Sequence, residues 1–313
     1  HHILTTGGEK VASISSLGAV IKGKRYDTGY HTTTLSSLML QKLLRKAVNE
    51  GAKYMAIEVT SHAIDQHRIF GIPFAVGVLT NVTNEHLDYH KTYDSYLRTK
   101  TALLRKAKIA VTNKDDGSYT FLADIEKKKG PKYWMTYCLT EGSDVNPKEF
   151  PFETKLIGEF NTYNVLAAIT AAKQLGVPNE KIRTAVSSYI QPIGRADFVY
   201  SDEFTVMIDF AHTPNAFEQI LKTVRPLFAG RIIHVFGSAG DVPQVMEKQQ
   251  HAADDLHGIG DEHHPALAHR VGECADVGGE DHVGNRERKL QQRRHPLRRL
   301  HLDQQCDRSD QQR

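Results

Sequence analysis

Apolar runs of strand length alternate with segments of helical spacing from Val11 to Phe236, and that alternation selects an α/β sheet protein with mostly parallel strands. Val11 to Ser15 and Ala19 to Ile21 read as short strands, with a turn at Gly23-Lys24 after the second. Leu40, Leu43, Leu44 and Ala47 share one helix face between Leu38 and Val48, and Gly51 stops that helix. Tyr54 to Val59, Phe74 to Leu79 (entered through Pro73) and Ile109 to Val111 are buried-strand patterns. Asn161 is expected to cap a helix carrying Val165, Ala168, Ile169, Ala172 and Leu175, terminated by Gly176 and Pro178. Phe204 to Ile208 and Ile232 to Phe236 are expected strands flanking a helix from Pro214 to Phe228, with Thr213 as its cap.

The pattern ends at Asp241. From there to Arg313 no Phe, Tyr or Trp occurs, Ile259 is the only isoleucine, and eight of the chain's seventeen histidines are concentrated. At the chain's 8% aromatic content that stretch should hold about six aromatics. Such a segment buries little apolar surface against chain entropy, so a disordered tail is expected. A reading-frame error explains its abrupt start, and a metal-binding or polyanion-binding tail is the alternative. The expected division is therefore 1–190, 191–240 and 241–313. A formal charge of +3 calls for neither nucleic acid nor an anionic membrane as partner. No apolar run reaches the roughly 20 residues of a membrane span and no signal peptide is expected. Cys138, Cys274 and Cys306 form no disulfide framework or zinc knuckle, which is consistent with a cytoplasmic protein.

In parallel sheets ligands gather beyond the carboxyl ends of the strands. Glu58 closes one strand, and Thr80 to His86 come after the next, so a carboxylate and an imidazole are expected in neighbouring loops. The carboxylate suits Mg²⁺, whereas an isolated histidine is more often an ordinary hydrogen-bonded side chain. His62, His67 and His90 are read in that ordinary way. Lys100 shares a helix face with Tyr93, Tyr96, Leu97, Leu103 and Leu104. A lysine on a buried stripe either snorkels to water or loses solvation, becomes a neutral amine and forms a carbamate with carbon dioxide.

Five ordered segments resemble the Mur ligase family. Ile57 to Arg68 (IEVTSHAIDQHR) is similar to its EVSSHxLxQxR segment, and Thr80 to His90 (TNVTNEHLDYH) to its TNLTxDHLDYHG segment, with Glu85 for the usual Asp and Lys91 for the usual Gly. Gly158 to Asn164 resembles GxFNxxN, Ile208 to Asn215 resembles VDYAHTPD, and Tyr96 to Leu104 resembles the helix that bears the family's carbamylated lysine. The details HLDYH and EVTSH are most similar to the branch that adds the third amino acid to the peptidoglycan stem peptide. The resemblance covers roughly residues 1–240.

It implies a central ATPase-like α/β domain followed by the start of a Rossmann-like C-terminal domain, with ATP and Mg²⁺ as cofactors. Glu58, His86 and carbamylated Lys100 would hold the metal. Thr33, Thr34, Thr60, Gln66 and Arg68 would face UDP-N-acetylmuramoyl-L-alanyl-D-glutamate, with Leu35 standing where a proline or small residue is usual. Asn161, Asn164, Arg195, Asp209 and His212 would serve the nucleotide, with Asn161 equally explained as a helix cap. Arg195 is followed by Ala196-Asp197 rather than the usual Met-Glu. The implied chemistry is phosphorylation of the substrate carboxylate by ATP, then attack on the acyl phosphate by the amine of an amino acid, either diaminopimelate or lysine. The alternatives are a ligase of the folylpolyglutamate or cyanophycin synthetase type, and a non-catalytic binding relic. No Gly-x4-Gly-Lys-Ser/Thr phosphate loop occurs. Neither does a Lys-Arg-Pro segment after Asp241, nor the Asp-x-Pro-Arg motif of diaminopimelate enzymes. Residues His2 to Ala12 resemble the end of the helix that succeeds the family's phosphate loop. The chain alone is accordingly expected to lack ligase activity.

Overall fold

A computed structural model describes residues 1–28, 34–83, 87–129 and 133–236, all within the unit His1–Ala266. A short helix, α1 (His2–Thr6), precedes β1 (Val11–Ser15), β2 (Gly18–Ile21) and β3 (Lys24–Tyr26). Alternate residues of β1 and β2 point inward, burying Ala12, Ile14, Ala19 and Ile21. Helix α2 (Ser37–Asn49) covers them with Leu40, Leu43 and Ala47. Next comes β4 (Tyr54–Ile57), which lies parallel to β1, so the four-stranded sheet runs β3-β2-β1-β4 with the other two pairings antiparallel.

The next stretch builds a second sheet from α3 (Ser61–Asp65), β5 (Phe74–Leu79), α4 (Leu87–His90), α5 (Tyr93–Lys106), β6 (Ala107–Asn113), α6 (Tyr119–Lys129) and β7 (Tyr133–Tyr137). Here β5, β6 and β7 are all parallel, with Val76 opposite Ile109 and Ile109 opposite Tyr133. Its core is closed by α7 (Glu159–Gln174) and α8 (Asn179–Ser188), which bring Leu166, Ile169, Ala172, Ile182 and Val186 against Val111 and Tyr137.

Beyond α8, β8 (Asp197–Ser201) and β9 (Thr205–Ile208) form an antiparallel pair with an irregularity at Phe198 and Tyr200. Thr213 caps α9 (Pro214–Val224), accepting the Ala216 N–H, and Ile220 and Val224 pack on Ala196. One 3-10 turn, Arg225–Leu227, extends α9.

The strands at 11–15, 74–79 and 205–208 and the helices beginning near 37 and 214 stand where the alternation predicts them, and the face shared by Tyr93, Tyr96, Leu97, Lys100, Leu103 and Leu104 lies on α5. Two expectations are corrected. Asn161 is not a cap, because α7 already begins at Glu159 and its N-cap is Gly158, held at φ 88°. Residues 232–236 keep a two-residue alternation of exposure but form no strand, since no described strand pairs with them. A strand is defined by its partner, and local periodicity supplies only half of that requirement.

Candidate active site

The segments that come after β4 and β5 meet, although the two strands lie in different sheets. Tyr89 on α4 donates its hydroxyl to Asp65 at 2.7 Å, and His90 Nε2 lies 2.9 Å from Ser61 Oγ. Glu58 is the first residue past β4. Its N–H donates to the Ile14 carbonyl at 2.9 Å, which continues the parallel ladder one step, and its side chain is exposed. Its Oε2 accepts the Ser16 N–H at 2.9 Å, so the β1–β2 turn orients the carboxylate. Lys100 on α5 lies on the stripe expected of it, with Tyr96, Leu97 and Leu104 buried and Lys100 itself partly so. Its Nζ lies 3.4 Å from the Asn81 carbonyl and 4.6 Å from the Tyr96 ring centroid. His86 and Thr33, both expected in the site, lie outside the described residues.

Thr34, Thr60, Gln66 and Arg68 form one connected cluster. The Thr34 side chain is 1% exposed; its hydroxyl donates to the Glu58 carbonyl at 3.1 Å and accepts the Thr60 N–H at 3.0 Å. Thr60 in turn caps α3, accepting the Ala63 N–H at 3.2 Å. Arg68 donates from Nη1 to the Thr34 carbonyl at 2.8 Å and from Nε to Gln66 Oε1 at 2.9 Å. The Arg68 guanidinium is thus held by Gln66 and by the Thr34 carbonyl, and Thr34 is tied to the turn after Glu58.

The remaining residues gather around α7 and the 194–212 region. Asn161 Nδ2 donates to the Ile157 carbonyl at 2.8 Å, and its Oδ1 accepts from Asn164 Nδ2 at 3.3 Å. Asp209 comes directly after β9; its two oxygens accept the N–H groups of Ala196 and Ala211, each at 2.7 Å. Those bonds clamp the turn that presents Arg195, whose guanidinium lies 4.3 Å from the Phe210 ring centroid. His212 is exposed, and its Nδ1 lies 3.0 Å from the Phe210 carbonyl.

One cavity of about 1880 Å³ is lined by Glu58, Thr60, Lys100, Asn161, Asn164, Arg195 and Asp209. Thr34, Gln66, Arg68 and His212 stand outside its wall. Sequence reasoning missed a further group on this wall, Asn113, Asp115, Asp116 and Tyr163. Asp115 Oδ2 accepts the Tyr163 hydroxyl at 3.0 Å and the Leu139 N–H at 2.8 Å. Burial, and after it the Asp115 carboxylate, pushes the Tyr163 phenol well above its usual range. Burial does the same for Tyr137, with Asp116 as a further cause. The signal was present: Asn113 ends β6, and a polar Asn-Lys-Asp-Asp run at a strand's carboxyl end obeys the rule that selected Glu58.

Among the described residues no three His, Cys, Asp or Glu side chains group closely enough to enclose a metal ion. Glu58 supplies a hard carboxylate oxygen facing the cavity, with one oxygen oriented by the Ser16 N–H. An open donor set of that kind fits Mg²⁺, which keeps several waters and binds through one or two carboxylates plus substrate phosphates.

The family model described as Mur ligase middle domain matches residues 1–172, and that described as Mur ligase, glutamate ligase domain matches residues 194–290. The chain is 32% identical over 268 residues to the UDP-N-acetylmuramoyl-L-alanyl-D-glutamate–2,6-diaminopimelate ligase of Clostridium perfringens, covering 79% of this chain and 55% of that one. To the Aquifex aeolicus protein of the same description it is 35% identical over 253 residues, covering 76% and 52%. A solved structure of a ligase so described superposes with a TM-score of 0.62 at 28% identity, covering 81% of this chain and 56% of that one. The FPGS–AMPPCP–folate complex shares the fold alone, with a TM-score of 0.58 at 17% identity over 82% of this chain and 73% of that one. The chain spans about half the length of the curated relatives it matches.

Proposed function

The chain belongs to the Mur ligase family, and on that premise we propose that it carries the central part of an ATP-dependent ligase site acting on UDP-N-acetylmuramoyl-L-alanyl-D-glutamate. Residues 1–190 are assigned to the central domain and 191–240 to the start of the C-terminal one. The observation that carries this reading is the single cavity on which Glu58, Thr60, Lys100, Asn161, Asn164, Arg195 and Asp209 converge. At about 1880 Å³ it exceeds the roughly 300–1,000 Å³ of a site for one small ligand, leaving room for a nucleotide beside a second substrate.

In this reading Glu58, His86 and the carbamate that Lys100 forms with carbon dioxide would hold magnesium, which would supply charge neutralisation on phosphate oxygens. Arg195 offers a cation to the same phosphates, and its stacking on Phe210 limits its freedom before any ligand arrives. Asn161 and Asn164 present a carboxamide pair to the nucleotide, and Asp209 keeps the Arg195 turn in place. Thr60 faces the anionic dipeptide substrate from the cavity wall, and Gln66 and Arg68, next to that wall through Thr34, would meet the part of the substrate that extends past it, with the Arg68 guanidinium already oriented by Gln66. With those groups fixed, phosphorylation of the substrate carboxylate and attack by the incoming amine become matters of position and charge. The curated relatives are described as 2,6-diaminopimelate ligases, so that amino acid is the first to offer, with lysine as the comparison.

Calorimetric titration of the 313-residue chain with UDP-N-acetylmuramoyl-L-alanyl-D-glutamate tests the substrate half. Saturable binding that Arg68→Ala weakens about tenfold, with no heat from dihydropteroate, is the expected result. Binding of the pteroate and not the UDP-sugar would replace this reading with a folate-type ligase. The ligase half is tested by adding ATP and the amino acid: no amide is expected from the 313-residue chain by itself, and amide synthesis with release of ADP and phosphate would overturn that expectation.

A further inference from the structure

We propose that His90 is a positioning residue that fixes the spacing between Glu58 and Lys100, a role resting on the assignment of Glu58, His86 and carbamylated Lys100 as metal ligands. As a loop histidine its ordinary explanation was a satisfied side chain with no further part to play. Its surroundings argue otherwise. His90 is 6% exposed, and it joins three segments of the chain at one point.

The first segment is the turn after β4. His90 Nε2 lies 2.9 Å from Ser61 Oγ, a hydrogen bond in which either group can donate. Ser61 is 3% exposed, opens α3 and lies three residues past Glu58. The residues between them have little freedom. Glu58 is held by Ile14 through its N–H and by Thr34 through its carbonyl, and the Thr60 N–H is held by the same Thr34 hydroxyl. A displacement of Ser61 is therefore passed to Glu58 rather than absorbed.

The second segment is α5. The His90 ring lies 5.1 Å from that of Tyr96, which is 1% exposed and fully packed. Lys100 stands one helical turn further on, with its Nζ 4.6 Å over the same Tyr96 ring. The third is α4 itself, which His90 ends and which begins at the residue after His86 in sequence. The rings of Tyr89 at 4.8 Å and His62 at 5.7 Å close the remaining sides. A phenylalanine could fill this space, but it could not tie Ser61. Groups that orient metal ligands without touching the metal commonly change metal affinity by about 10–100-fold when removed.

The test uses the full 313-residue chain and Mn²⁺ in bicarbonate buffer, which supplies the carbon dioxide for the Lys100 carbamate, with free Mn²⁺ read by electron paramagnetic resonance and folding checked by thermal denaturation. Glu58→Gln probes the metal assignment. His90→Phe keeps the ring and removes the bond; Ser61→Ala removes the same bond from the other side with minimal change of volume. Each of these two is expected to weaken Mn²⁺ binding about tenfold while the chain remains folded, and the double variant to be no weaker than either. Affinity within twofold of the unsubstituted chain for a folded His90→Phe overturns the proposal, as do independent, multiplying effects of the two substitutions. If His90→Phe does not fold, Ser61→Ala decides by the same criterion. Mn²⁺ binding that Glu58→Gln leaves unchanged, or no binding by the unsubstituted chain, overturns the metal assignment and the role of His90 with it.

Discussion

The Thr34 hydroxyl was expected to face substrate, yet it lies between the Glu58 carbonyl and the Thr60 N–H, in a side chain only 1% exposed. The sequence singled out Thr34 but not this work, because both its partners are main-chain groups brought close by folding. Thr34→Val leaves a part-buried carbonyl and a part-buried N–H without this partner, which costs about 1–3 kcal/mol. Thermal denaturation should show a fall of roughly 3–10 °C for Thr34→Val and much less for Thr34→Ser, which keeps the hydroxyl. Equal melting of the two variants would mean that the methyl group, and not the hydroxyl, stabilises this turn. Glu58 shows the same division. Its place at a strand end could be read directly, whereas the Ser16 N–H that orients it belongs to a turn 42 residues away in sequence.

Elements were most legible where the local signal was complete in itself. Thr213 followed by Pro214 names both a cap and a first helical residue, and α9 begins there. The start of α7 was misread because Asn161 offered a familiar cap while Gly158 carried the actual constraint. Gly158 has φ 88° and ψ 146°, a region open essentially only to glycine. An added Cβ would meet Thr223 Oγ1 at 2.5 Å and the Phe160 ring at 2.7 Å. Gly176, past the other end of the same helix, has φ 79° and open space around it. Gly176→Ala should therefore cost only its backbone strain, about 1–2 kcal/mol, and Gly158→Ala roughly 3 kcal/mol or more. Urea denaturation of the two variants measures the difference, and equal losses would remove the packing argument at Gly158.

At the scale of the whole molecule, two cores must cohere for the candidate site to exist. One lies between the mixed sheet and α2, the other between the parallel sheet and α7 and α8. Helix α5 links the first core to the parallel sheet: Ala102 and Leu103 pack toward that core, while Leu104 packs with Ala110 of β6 and Leu122 in a separate cluster. Trp134, the only tryptophan, sits on β7 with its Nε1 donating to Thr112 at 2.9 Å, so its fluorescence reports the parallel sheet alone. Fluorescence and far-ultraviolet circular dichroism should give coincident unfolding curves, and Leu104→Ala should shift both together by about 2–5 kcal/mol. Separate transitions would show that the cores unfold independently and that α5 does not couple them. The sequence by itself determined the α/β class and the family, because periodicity and short motifs are local properties of the chain. Only the tertiary structure decided that strands β4 and β5 belong to different sheets while the loops after them still meet. It alone decided, too, that Thr34 holds a turn, and that a histidine dismissed as ordinary joins Ser61 to Tyr96. Each of those outcomes depends on a partner distant in sequence, and hydrogen bonds and packed rings act over a few ångströms of space whatever the number of residues between them.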